Sequence, residues 1–359
     1  MDRRTFVVRL GQGSIAWTVG AALPARVLAA EETRFQGATL RVATWGGATR
    51  DALRDYVASE IDKRGGKVEF VIGSPQDNFA KLIAARGQAP FDLFEFLGTM
   101  VPEVTGRDLL AKLDLAKMPN LKQLKAGSYN EYMVPTWNTE EMIIYNKDKF
   151  RENGLTPPQS LTDLRNPKLA GRIMIPDISS GGGIEAVGAF ALTAGGDEKN
   201  IAPGLKLISE LPNPRFWKAG GEVVTQFKSG DIWVAVAHAG WAVRTANAGV
   251  PVATVPARMG NHVGMIKEGY IGLIKGSKNQ ELAEFFINTY LSPEAQYEFS
   301  QKVAAVPVNP QARAKMGNSE VIRNLVVLDQ AAIDKMAKLD PSKINLSQWN
   351  EQWNRMVAR

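Results

Sequence analysis

RIMIPDISSGGGIEAVGAF, residues 172–190, places an apolar run ahead of two serines and three glycines, and a helix-like segment follows. The spacing predicts a buried strand over 172–177 and a helix opened by the glycines. Glycines let backbone N–H groups approach a ligand closely, and a helix N-terminus carries a partial positive charge. Serine hydroxyls add donors or cap the helix. Ser179, Ser180, Gly181, Gly182 and Gly183 are therefore candidates to cradle a carboxylate, phosphate or phosphonate. A flexible glycine-rich loop is the other reading of the same residues.

The strand–loop–helix order recurs on both sides of this stretch. Apolar runs predict strands at 39–44, 67–73 and 91–96, with helices over 48–65 and through QDNFAKLIAARG. After the proline-containing 154–167 the order restarts, with strands at 172–177, 232–237 and 269–276 and an amphipathic helix over 278–291. Strands alternating with helices argue for an α/β protein of two lobes, each built on a mostly parallel sheet flanked by helices. In such sheets ligands gather beyond the carboxyl ends of the strands. That rule singles out Trp45, Ser74, Glu95, Ser179 and His238. Trp137 and Trp241 are either cleft walls or core, whereas Trp349 and Trp353, four residues apart, read as one buried helix face.

The chain has 359 residues, 45% hydrophobic and 22% charged, a length that suits two domains. Half of its net charge of +6 lies in residues 1–29, and no basic run is interleaved with aromatics, so nucleic acid is not an expected partner. There is no cysteine, which removes disulfides, thiol nucleophiles and zinc–thiolate sites. His238 and His262 are the only histidines, and no metal spacing, nucleophile elbow, phosphate loop or dinucleotide fingerprint occurs. No catalysis, metal or cofactor is expected.

The N-terminus opens with Asp2-Arg3-Arg4-Thr5-Phe6-Val7, then a short apolar stretch and small residues suited to cleavage after Ala29 or Ala30. It resembles a twin-arginine export signal over residues 1–30; a Sec signal with a chance arginine pair is the alternative. Either leads out of the cytoplasm. The apolar segment is too short to span a bilayer stably, so no membrane insertion of the mature chain is expected.

VPTWNTEEMIIYNKDKF, SLTDLRNPKLAGRIMIPD, FKSGDIWVAVAHAGWAV and VAAVPVNPQA, in this order, resemble the bacterial extracellular solute-binding proteins of the spermidine/putrescine type. The resemblance covers roughly residues 37–359. It implies a periplasmic receptor, expected to be a monomer, that closes on a small solute and delivers it to the membrane permease of an ABC importer. It implies two crossings, near Val134–Glu141 and Lys267–Ile271, with lobe 1 formed by 31–137 and 270–310 and lobe 2 by 138–269 and 311–359. Trp45 matches the first aromatic of the polyamine binders, but their acids do not carry over. Gly182, Gly183 and Ala186 stand at the helix start, Lys267-Glu268-Gly269 replaces Trp-x-Asp, and His238 replaces a tryptophan. A buried ammonium needs a carboxylate, so the departures favour an amino-acid-like zwitterion, a carboxylate or a phosphonate. A polyamine is the alternative, and an exported hydrolase a remote one. Trp45, Trp137 and Trp241 are the expected walls, Ser74 a polar contact, Ser179 to Gly183 the anion cradle, Glu95 (or Glu268) an amine partner, and His238 and Tyr270 cleft donors.

Overall fold

A computed structural model describes residues 33–357, so the export-signal reading of residues 1–30 lies outside the described residues. The first apolar runs fold as β1 (Thr39–Thr44), β2 (Lys67–Ile72) and β3 (Leu93–Leu97), paired in parallel in the order β2-β1-β3. Next comes β4 (Val134–Asn146), followed by β5 (Ile173–Pro176), β6 (Arg215–Trp217) and β7 (Val234–His238). The last three form a second parallel set in the order β7-β5-β6. β8 (Val252–Val255), the ribbon β9 (Arg258–Met259) with β10 (His262–Val263), β11 (Met265–Leu273) and β12 (Val306–Pro307) complete the strands.

β4 and β11 join the two halves. They run antiparallel, from Met265 opposite Glu141 to Ile271 opposite Val134. The other edge of β11 pairs with β3, and the far half of β4 pairs with β7 and β8, so a single ten-stranded sheet runs through both lobes. Such strands are hard to see in sequence. β4 carries Asn138, Thr139, Glu140 and Glu141 in mid-strand, and β11 begins four residues before the expected 269 because Lys267 and Glu268 break the apolar run.

The core changes partner along these two strands. Trp137 and Tyr270 pack into a cluster with Phe94, Phe96, Phe286 and Tyr290, formed by the first segment and the helices Gln280–Tyr290 and Pro293–Val303. From Met142 and Ile143 onward, and up to Ile266 on β11, side chains join two clusters on the opposite faces of the second lobe's sheet. Trp349 and Trp353 are both buried on one face of the Leu346–Met356 helix. Each fully buried aromatic of this kind contributes roughly 1.5–3 kcal/mol. The chain between the lobes is therefore ladder-bonded strand, and the space beside it is the cleft. Among the described residues no helix is long and apolar enough to cross a membrane.

Candidate functional site

A cleft of about 440 Å³ lies where the two lobes face each other, within the size range of small-molecule sites. Lobe 1 contributes the turn after β1, Trp45 to Thr49, with Trp137 from β4 and Phe299 and Val303 from a helix, and Thr139 follows on β4 at the crossing. Lobe 2 contributes Gly181, Trp217, Lys218, Gly220, His238, Gly240, Trp241 and Arg244, and Lys267 enters from β11.

Local chemistry explains why the tryptophans sit where they do. Trp45 follows β1 directly, and the chain turns into the Ala48–Leu53 helix through Gly47 at φ 60°, a conformation that side chains disfavour. Trp45 meets Trp137 edge to face, with ring centroids 5.5 Å apart at 66°. Trp137 in turn lies against Gly269 on the neighbouring strand, where a β-carbon would come within 2.2 Å of the indole. Gly220 performs the same service for Trp241. Trp217 is fixed by its indole N–H, which donates to the Val236 carbonyl at 3.1 Å.

The cleft is cationic. Lys267, Arg244 and Lys218 line it, and among the described residues no aspartate or glutamate does. Lys267 is only 7% exposed, and its Nζ donates to the Gly181 carbonyl. Arg244 lies over the Trp241 ring with 4.4 Å from Cζ to the centroid, and its Nη2 donates to the Val303 carbonyl of the opposite lobe at 3.0 Å. Burial lowers the Arg244 pKa. His238, between Trp217 and Trp241, has no partner for Nε2; burial, aided by Lys267 and Arg244, pushes its pKa down to about 3, so the imidazole is neutral.

Five residues singled out in the sequence, Trp45, Trp137, Gly181, His238 and Trp241, come together here. The others lie off the cleft, each for a local reason. Ser74 caps the Pro75–Ala84 helix in a reciprocal capping box with Asp77. Glu95 points into the lobe 1 core, where it accepts from the Thr44 hydroxyl, and burial raises its pKa to about 7. The Tyr270 hydroxyl donates to Glu268 at 2.9 Å, behind the wall.

The glycine stretch also differs from a cradle. Ser179 spends its N–H and its hydroxyl on the Asp177 carboxylate, and Ser180 donates its N–H to the Asp177 carbonyl. Gly182 and Gly183 donate to the Ser180 hydroxyl and carbonyl. These N–H groups are consumed in the turn, so Ser179, Ser180, Gly182 and Gly183 offer the cleft no backbone donor; of the stretch only Gly181 lines the cleft, and Lys267 occupies its carbonyl. Gly183 is needed for packing, since a β-carbon would lie 2.3 Å from the Asp177 carbonyl oxygen. Positive charge reaches the cleft on Lys267 and Arg244 instead. Neither was singled out as a ligand contact, although Lys267 was visible as a departure from the polyamine pattern.

Behind Lys267 sits a second layer of charge. Glu141 and Glu185 are both buried, and neither Glu141 oxygen has a hydrogen-bond partner. Desolvation, reinforced by Glu185 and opposed by Lys267, raises the Glu141 pKa well above the carboxylate range.

Known proteins agree with this geometry. The family model described as bacterial extracellular solute-binding protein matches residues 58–324. The γ-aminobutyric acid-binding protein of Pseudomonas aeruginosa is 23% identical over 293 residues, covering 78% of this chain and 80% of its own. Among solved structures, the Atu4243 GABA receptor superposes with a TM-score of 0.73 at 20% identity, covering 89% of this chain and 97% of its own. PotD, the spermidine/putrescine ABC transporter substrate-binding protein of Streptococcus pneumoniae, does so with a TM-score of 0.71 at 18% identity, over 90% and 98%. The chain belongs to the bacterial extracellular solute-binding proteins and is a solute-binding protein of the ABC-transporter type.

Proposed function

We propose that this protein is the periplasmic receptor of an ABC importer for a small solute that carries a carboxylate, such as an amino-acid-like zwitterion. A phosphonate is the isosteric variant. The observation that carries the reading is the charge of the cleft: Lys267, Arg244 and Lys218 line it without an acidic side chain among the described residues. A polyamine would have to bury two ammonium groups against three cations, an arrangement that Coulomb repulsion opposes. The relatives that bind γ-aminobutyrate support the same class.

The solute enters between the lobes, which close about the β4–β11 crossing and are stabilised in the closed form by the ligand. The protein binds without catalysis, acts as a monomer and hands its solute to a membrane permease. The expected lobes are 31–137 with 270–310, and 138–269 with 311–359. Trp45, Trp137 and Trp241 wall the solute, Lys267 and Arg244 hold its carboxylate, and His238 is a neutral polar contact.

A thermal-shift screen of the protein against γ-aminobutyrate, dicarboxylates, phosphonates, putrescine and spermidine tests the reading. A ligand at a hundred times its Kd adds about 2.7 kcal/mol of stability. Stabilisation by a carboxylate or phosphonate is the expected result. Stabilisation by polyamines alone would show that the cleft charge has been misjudged.

A further inference from the structure

The cleft treats the two ends of a zwitterion differently. For the anionic end it has Lys267 and Arg244. For a cationic end it has aromatic rings and, among the described lining residues, no carboxylate; the neutral His238 imidazole and the Thr49 and Thr139 hydroxyls are its side-chain acceptors. Trp45 and Trp137 meet edge to face at 66° and form a corner, and Trp241 stands on the opposite lobe. The Gly181 carbonyl is occupied by Lys267, and the nearby Glu95, Glu141 and Glu268 all lie off the cleft wall. Glu268 is held by Lys338 and Tyr270.

A primary ammonium has three N–H donors, and each one buried without an acceptor is costly. A quaternary ammonium has no N–H, spreads its charge over methyl groups, and is attracted to the faces of tryptophan rings. We infer, resting on the carboxylate reading above, that the solute is a betaine: a carboxylate joined by a short chain to a fully N-methylated ammonium, with the ammonium in the Trp45–Trp137 corner and the carboxylate on Lys267 and Arg244.

Isothermal titration of the full chain with three carboxylates of one chain length tests this. The probes are γ-aminobutyrate, its N,N,N-trimethyl derivative, and 5,5-dimethylhexanoate, which has the same shape without the cation. The trimethyl compound is expected to bind at least about tenfold more tightly than either of the others, a preference of the size that cation–π contacts supply on desolvation. Trp45→Leu should weaken the trimethyl compound more than 5,5-dimethylhexanoate, so that most of the preference between the two is lost even though both bind less tightly. If γ-aminobutyrate binds as well as its trimethyl derivative, the betaine assignment fails and the carboxylate receptor stands. If 5,5-dimethylhexanoate matches it, the rings serve only as apolar walls and the assignment again fails. If none of the three binds and putrescine does, both readings fall together.

Discussion

Gly220 and Trp241 are in contact so close that a β-carbon on residue 220 would stand 2.0 Å from the indole ring. A missing side chain on one element thus sets the depth of an aromatic wall on another. The relation repeats across the cleft, where Gly269 on β11 receives the ring of Trp137 from β4. Gly220→Ala should push Trp241 into the cleft. The expected result is a loss of affinity of about tenfold or more, together with a destabilisation of the free protein of about 1–3 kcal/mol from overpacking. Titration calorimetry and urea denaturation of the same variant separate the two effects, and unchanged affinity would remove Trp241 from the site.

Lys267 is the cation nearest the centre of the charge argument. Lys267→Met keeps the length of the stem and removes the ammonium. A hydrogen bond to a charged group contributes about 1.5–3 kcal/mol, so affinity for a carboxylate ligand should fall by about ten- to a hundredfold. Affinity for the amide of the same ligand, which lacks the carboxylate, should not fall. Equal loss for both ligands would mean that Lys267 acts only by shaping the Gly181 turn.

Arg244 stacks on Trp241 and reaches across to the Val303 carbonyl of the other lobe. Lysine cannot reproduce a planar group that stacks and bonds at once. Arg244→Lys should therefore weaken ligand binding and shift the lobes toward a more open average. Small-angle scattering of the liganded variant would report a larger radius of gyration than the liganded parent protein. An identical radius would place the interlobe contact outside the closure mechanism.

Stability should also depend on pH in a stated direction. Burial raises the pKa of Glu140 to about 8 and that of Glu95 to about 7, each from an ordinary value of 4.5. Between the ordinary and the raised values the folded protein keeps protons that the unfolded chain releases, so stability falls as pH rises toward 8. His238 works the other way: its folded pKa of about 3 lies below the ordinary value of 6.5, so stability falls as pH drops through that window. Above pH 6.5 only the carboxyls act. From pH 6.5 to 8.5 the loss should be on the order of 2 kcal/mol. Glu140→Gln keeps an acceptor for the Val327 N–H, which donates to the Glu140 carboxyl at 3.1 Å, and should flatten the slope by the share of one carboxyl, the rest remaining with Glu95 and the likewise raised Glu141. Urea midpoints at the two pH values decide it.

The sequence by itself determined the lobes' local architecture. Parallel β1, β2, β3 and β5 were legible because apolar runs bounded by glycine and polar turns have few alternatives, and the strand-end rule singled out Trp45 and His238, which line the cleft. It could not decide what the cleft presents. Ser74 and Ser179 have the same donors whether they face a ligand or cap a helix, and only folding spends those donors on Asp77 and Asp177. The polar mid-strand residues of β4 and β11 look like loop until the two strands bond to each other across more than a hundred residues. That pairing carries Lys267 to Gly181 and Trp137 to Gly269. The charge and the walls of the site therefore come from long-range register, and no local spacing encodes it.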